Sequence, residues 1–398
     1  MKEVLWISLT APYDKVDHAG GQVHNYYLKK LHKSGKAHIK LISFCHPSEL
    51  SKLDVKEYGI EATIFPQETK GLKHVLWGIA HIETRYNPLN RYAGLTFNFF
   101  EIKLRKEVAL LRNMGYVPDV IILQWTQMVL FAPWLRRTFP TAKVICIEED
   151  VTYLSYERIM KNKPTWFNKV RYKKMKKTEL ASLGVANEII CSNKKDLKLL
   201  DNENLDTKRT SWCPYYNNMQ GIERNNINSD IIFFGAMNRE ANWKSAVWFI
   251  ENVFNKLDNR NVRFVVVGSK PPKELLEYRS ERIIVTGYVD SIEPYFEHAM
   301  CMVVPLQMGA GIKIKVLEGL SSGIPVLANS IGIEGIPADN MKEYIHCESA
   351  QDFENGIEFI LNNRDRAEAI GRNGKKFASD EFDYNQSTKM FIDLIDNL

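Results

Sequence analysis

The sequence predicts an α/β chain of two parallel-sheet domains facing each other across a cleft. In the first half, apolar runs recur at Val4 to Leu9, Ile39 to Phe44, Val120 to Leu123, Val144 to Ile147 and Glu188 to Cys191. Continuous rather than alternating runs suit parallel strands covered on both faces. Near Cys213 the texture changes to CPYYNNMQGIERNNINSD, rich in Asn and poor in aliphatics, which places an interdomain linker there. The second half then repeats the alternation, with strands at Ile231, Phe264, Ile283, Cys301 and Val326 and helical segments such as Asn242 to Phe254 between them. The pattern Tyr384, Met390, Phe391, Leu394 and Ile395 reads as a final helix.

A chain of 398 residues with 45% apolar side chains is ample for two cores. Met1 to Leu9 is too short an apolar run for a spanning helix and lacks a small-residue cleavage site, so it reads as a strand. The longest apolar region, Val120 to Leu135, is interrupted by Gln124, Thr126 and Gln127, which points to a buried strand followed by a helix. No transmembrane segment is expected, and a cytoplasmic location follows. The six cysteines lie far apart, without the close pairs of metal or redox sites, and read as buried free thiols in a reducing compartment. A net charge of +5 is compatible with nucleotide donors, anionic headgroups or an acidic acceptor. The basic residues carry no recognised reading motif, which excludes nucleic acid as the expected partner.

The most informative stretch is Pro305 to Ser330, PLQMGAGIKIKVLEGLSSGIPVLANS. Met300 to Pro305 can form a strand. Ile312, Val316 and Leu320 recur at helical spacing, and Gly323 with Pro325 stops that helix before Val326 to Ala328. The result is a βαβ unit whose loop lies where a parallel sheet puts ligands. Gly309 and Gly311 permit close backbone approach, so the N–H groups of the helix start would meet a phosphate, with Lys313 in the first turn adding its charge. Glu318 lies about two turns further in, at a distance suited to a ribose hydroxyl.

These residues resemble the signature of retaining glycosyltransferases of the family-four type, the glycosyl transferases of group 1. The resemblance continues through FFGAMNREANWKSAVWF from Phe233, VVVGS at Val265 to Ser269, VTGYV at Val285 to Val289 and SIGIEGI at Ser330 to Ile336, in the family's order. It implies the GT-B fold, two Rossmann-like domains with a nucleotide-sugar donor site in the second. It also implies that the last helix crosses back, giving a first domain of 1–215 plus 384–398 and a second of 216–383. Of the family's pair of glutamates, the second matches Glu318, whereas Ala310 holds the first position and removes a carboxylate near the donor sugar. The usual arginine after Gly235 is Ala236, which leaves Arg239, Lys244, Lys313 and Lys315 as cationic alternatives, with Lys313 preferred. The donor loop is therefore expected at Gly309, Ala310, Gly311, Ile312 and Lys313, with Glu318 on the ribose and Tyr288 beside the base. Glu334 takes second rank. A solvated face for Lys313 and Lys315, an exposed Glu318 and ordinary packing for Tyr288 are the alternatives.

In the first half, Gly20 and Gly21 follow the first strand and precede the helical run Val23, Tyr27 and Leu31, a phosphate-approach loop or a plain tight turn by their spacing alone. The resemblance puts the pair opposite the donor phosphates. His18 and His24 flank it and read either as contacts for acceptor or phosphate or, in preference, as solvated loop histidines. In CIEEDVTYLSYER, Asp150 matches the family's aspartate near the reacting sugar and Glu149 stands at its histidine position; a helix N-cap is the rival role for Asp150. Lysines and arginines between Arg158 and Lys177, interleaved with Trp166, Phe167 and Tyr172, form either a contact for anionic membrane or a solvated helix face. The aromatic TFNFF at Thr96 to Phe100 is a candidate for the same face or for the core.

The expected activity is retaining transfer of a sugar from a nucleotide diphosphate to a hydroxyl of a glycan, lipid-linked or cell-surface polysaccharide intermediate. No metal ion or cofactor is expected, since helix-terminal amides and lysine can stabilise the leaving diphosphate. The rivals are a nucleotide-sugar 2-epimerase or inverting transferase on the same fold, and a catalytically silent adaptor.

Overall fold

Apolar runs and glycine turns divide the chain into two α/β units, each with its own parallel sheet. A computed structural model describes residues 1–14, 16, 18–67, 87, 90, 92, 94, 95, 98–257, 261–309 and 311–398. The first unit comprises Met1–Cys213 and Tyr384–Leu398, and the second Pro214–Asp383.

In the first unit the strands are β1 (Lys2–Ser8), β2 (Ala37–Cys45), β3 (Glu61–Pro66), β4 (Val120–Gln124), β5 (Lys143–Glu148), β6 (Glu188–Cys191) and β7 (Lys208–Ser211). They pair in parallel in the order β3-β2-β1-β4-β5-β6-β7. The order reverses between β1 and β4, and the carboxyl ends of those strands mark the crevice where such sheets bind ligands. β3 and β7 are edge strands that the apolar pattern does not announce, because EATIFP and KRTS carry polar residues where one side meets water. The region Val120 to Leu135 forms β4 and then, where one helix was expected, two short ones, Thr126–Val129 and Ala132–Thr138.

One face of this sheet is closed by the last helix, Tyr384–Asn397. Its Phe391 meets the rings of Trp6, Tyr27 and Trp212 at 5.9, 5.7 and 5.5 Å. Ser387 Oγ accepts from Cys213 N–H at 2.8 Å and from the Tyr27 hydroxyl at 2.8 Å. Tyr27 stacks on Trp212 at 4.0 Å. Phe100, of the aromatic TFNFF, is buried 4.4 Å from Phe44 and belongs to the core, whereas Thr96 and Phe97 lie outside the described residues.

The second unit has β8 (Asp230–Phe234), β9 (Arg263–Val267), β10 (Ile283–Val285), β11 (Cys301–Val304), β12 (Val326–Ala328) and β13 (Ile345–His346). Its parallel order is β10-β9-β8-β11-β12-β13, with the reversal between β8 and β11. Gly235 and Gly268 end β8 and β9 at φ 150° and 152°, and a Cβ on Gly268 would stand 1.8 Å from the Gly235 carbonyl oxygen. Only glycine allows that approach. Among the described residues no helix is long and apolar enough to cross a membrane. The six cysteines are free thiols, and all but the half-buried Cys213 are buried.

Candidate functional site

The sequence-predicted residues fall into two groups, one at the reversal point of each sheet. In the second unit the loop after β11 is pinned from both sides: Asn329 Nδ2 donates to the Leu306 carbonyl at 2.7 Å, and Gln307 N–H donates to Ser245 Oγ at 3.2 Å. Gly309 and Gly311 adopt φ 142° and 71°, so the turn needs glycine, while Ala310 lies outside the described residues. The helix that follows is Ile314–Ser322, which leaves Ile312 before it and makes Lys313 its N-cap rather than a first-turn residue. Lys313 Nζ donates to the Gly311 carbonyl and stands 3.6 Å from the Glu334 carboxylate. The cation thus braces the loop and draws Glu334 into the site.

Lys315, expected only as an alternative to Lys313, is the lysine that reaches the loop after β8. Its ammonium donates to Asn242 Oδ1 at 2.6 Å and lies 4.6 Å from the Phe233 ring centroid. Asn242 Nδ2 in turn donates to the Ala236 carbonyl at 2.8 Å, which ties together the loops after β8 and β11. A Cβ on Gly235 would lie 2.8 Å from both Lys315 Nζ and Asn242 Nδ2, so the glycine makes room for the cation. Desolvation pushes the Lys315 ammonium down to about 7, opposed by Glu318 and reinforced by Arg239 and Lys313. The solvated face envisaged for Lys315 does not form. Sequence spacing hides this, because a lysine three residues before a glutamate reads as a surface pair.

Glu318 is buried, 8% exposed, so the exposed-helix alternative is excluded. Burial raises its carboxyl to about 8 against the hydrogen bond from Asn217 N–H and the charge of Lys315. Arg239 is an exposed N-cap of the helix Glu240–Asn252. Tyr288, next to Gly287 at φ 76°, is 73% exposed, so its ring is not core packing.

In the first unit Gly20 and Gly21 lie inside the first turn of the helix Ala19–Lys33 rather than in a loop before it. His18 is the N-cap, its Nδ1 accepting from Gly21 N–H at 2.9 Å. A Cβ on Gly21 would meet Val16 at 2.3 Å, and one on Gly20 would lie 3.3 Å from Trp125 Nε1. Trp125 ends β4 at φ 69° and ψ 142°, a conformation that costs a bulky residue of order 1–3 kcal/mol. His24 is fully buried between Trp6 and Trp125, at ring distances of 5.5 and 5.4 Å, and desolvation pushes its imidazole down to about 3. The solvated role expected of His24 is therefore corrected: it is a neutral spacer that supports the strained tryptophan.

The acidic residues at the end of β5 separate sharply. Glu149 accepts from Gln124 Nε2 and Ser192 Oγ, each at 2.8 Å, and desolvation raises it to about 7. Gln124 also accepts from Trp6 Nε1 at 3.1 Å, and Ser192 from Trp212 Nε1 at 3.2 Å, so the carboxylate is held within a polar chain. Asp150 is exposed and is not the N-cap of the helix Thr152–Asn162; that position is Val151. The N–H groups of Thr152 and Tyr153 instead donate to Glu179 at 2.8 Å each. Glu148, fully buried, accepts from Thr126 Oγ1. Glu148 and Glu179 escape a sequence reading because each sits in a pattern that looks like an ordinary strand end or helix face.

Residues 228–363 match the family model described as glycosyl transferases group 1. No curated protein sequence matches the chain significantly. Among solved structures, sucrose-phosphate synthase from Thermosynechococcus elongatus is similar at 14% identity and TM-score 0.70, covering 99% of this chain and 98% of that one. HepE of Anabaena in complex with UDP superposes at TM-score 0.69 with 11% identity and complete coverage, 100%, of both chains. A TarM variant from S. aureus, solved with Fondaparinux, alpha-GlcNAc-glycerol and UDP, gives 0.66 at 12% identity over 99% of this chain and 100% of that one. The chain therefore has the GT-B fold, and residues 228–363 of its second unit match the group 1 glycosyltransferase model.

Proposed function

We propose that this protein is a retaining glycosyltransferase that moves a sugar from a nucleotide diphosphate to a hydroxyl of a glycan or lipid-linked intermediate. The observation that carries the reading is the Lys315 ammonium, desolvated beside Gly235 at the reversal point of the second sheet, three residues from the buried Glu318. A partly desolvated cation interacts more strongly with an incoming diphosphate than one in bulk water, and glycine backbone lets the phosphates approach. In this reading Lys315, with Lys313 and the amides of Gly309 to Lys313, neutralises the leaving diphosphate. Glu318 accepts from the ribose hydroxyls, and Tyr288 stacks beside the base. Arg239 adds charge from outside.

As the anomeric carbon's bond to the diphosphate breaks, the acceptor oxygen bonds to that carbon on the same face, and the acceptor proton passes to a phosphate oxygen. Within the first unit, Glu149, held by Gln124 and Ser192, is the group suited to an oxocarbenium-like charge, and Gly20, Gly21 and Asp150 are that unit's other candidate contacts. The charge stabilisation comes from lysine and amides, so excess EDTA is expected to leave the rate unchanged; loss of activity restored by a divalent ion would overturn that part.

The experiment is calorimetric titration with UDP-glucose, chosen because HepE has been solved with UDP-glucose, followed by GDP, ADP and TDP sugars. A selective donor that loses at least about ten-fold in affinity in Lys315→Met supports the site. Wild-type affinity in that variant, or no binding by any nucleotide sugar, sinks it. Proton NMR of the product anomer separates retention from inversion, and release of a 2-epimer without acceptor would assign the epimerase.

A further inference from the structure

The first unit holds a cavity of about 640 Å³ that shares no lining residue with either group described above. It lies between the helices Ala132–Thr138 and Trp166–Leu183. Tyr92, Leu130, Pro133, Trp134 and Val170 form apolar walls, and Arg137, Lys173, Lys174 and Lys177 supply charge. The volume is that of a small-molecule site. Among the described residues its lining holds no carboxylate and no side-chain amide, only the hydroxyls of Tyr92, Thr178 and Ser182 beside the cations, a set that repels no anion.

The lining residues of the longer helix, from Val170 through Lys173, Lys174 and Lys177 to Ala181, recur at three- and four-residue spacing and so share one face. The run of lysines that looks unpatterned in sequence therefore contains a stripe. Trp166, 72% exposed, stands one turn before Val170 on the same stripe, as an aromatic residue does at a membrane surface. On the opposite wall, Arg105 stacks over the Trp134 ring at 4.3 Å and fixes it. Ile102, one turn before Arg105, is 67% exposed.

Apolar walls with several cations fit a ligand that is apolar along its body and anionic at one end. We propose that this cavity binds a phosphate-headed lipid, the chain lying against Trp134, Leu130 and Val170 and the phosphate meeting Arg137, Lys173 and Lys177. Such a site would hold the first unit to a membrane through a captured lipid as well as through surface charge, which by itself is worth only about 1 kcal/mol per basic residue. The inference uses none of the transferase residues and stands or falls separately from that reading.

The test is titration of the full chain with palmitoyl lysophosphatidic acid and with farnesyl phosphate below their micellar concentrations, against glycerol 3-phosphate and lysophosphatidylcholine. One of the phosphate-headed lipids is expected to bind about ten-fold or more tighter than either control, and the tighter of the two names the chain as acyl or prenyl. Ala181→Phe and Thr178→Phe, which fill the cavity without changing charge, and the double charge reversal Lys173→Glu with Lys177→Glu should each weaken binding about ten-fold, with unchanged circular dichroism and melting temperature. Undiminished affinity in both filling variants would reduce the site to surface electrostatics and overturn the proposal, as would equal binding of lysophosphatidylcholine or binding of neither phosphate-headed lipid.

Discussion

Lys315 and Glu318 form an opposed pair whose protonation depends on what stands beside them. With the ammonium pushed down to about 7 and the carboxyl raised to about 8, much of the pair is neutral near pH 8 in the free protein. A bound diphosphate favours the charged lysine, so the proton must come from Glu318 or from water. Glu318→Gln removes the internal source. Donor binding to that variant at pH 8 is then expected to take up close to one proton, read as a calorimetric enthalpy that changes with the ionisation heat of the buffer. The uptake should vanish in the double variant with Lys315→Met. Glu149 gives a second pH signature. Raised to about 7 by burial, it is ionised above that value and protonated below, so turnover is expected to fall as pH drops through about 7. In Glu149→Gln the limb should disappear and the plateau fall. An unchanged limb would assign the titration elsewhere.

At the scale of elements, the last helix is anchored to the first sheet by a few large contacts. Phe391, 3% exposed among Trp6, Tyr27 and Trp212, is the largest of them. Its replacement by alanine is expected to cost about 3–5 kcal/mol, seen as an earlier denaturant transition of the first unit. At the ends of β8 and β9, Gly268→Ala should disturb Gly235 and weaken donor binding even though position 268 contributes no side chain to the site. Wild-type donor affinity in that variant would show that the loop after β8 tolerates the shift. These elements differ in how openly the sequence displays them. β11, the glycine turn, Ile314–Ser322 and β12 are legible because continuous apolar residues alternate with glycines that no side chain can replace. The edge strands β3, β7 and β13 are not, since short strands facing water on one side keep their polar residues. The buried roles of Lys315, His24 and Glu148 are hidden for another reason. Their partners, Asn242, Trp125 and Thr126, become neighbours only when loops from different strands converge at a sheet's carboxyl edge.

For the whole molecule, the two sheets share one design, with a reversal of strand order, a loop and a helix start at each candidate group. Function is expected to divide accordingly. Substitutions at Lys315 and Glu318 should raise the donor's KM, whereas Glu149→Gln should act mainly on kcat at saturating donor. The route of the chain has its own consequence. Cys213 leaves the first unit and Ser387 belongs to the helix that re-enters it; the Cys213 N–H donates to Ser387 Oγ at 2.8 Å, and the Tyr27 hydroxyl contacts both residues. Exit and return are thus stitched together at one point, so the second unit is topologically an insertion into the first. A short glycine-serine bridge in place of Pro214–Asp383 should yield a free-standing first unit, and the same junction should accept the second unit of another protein as a graft.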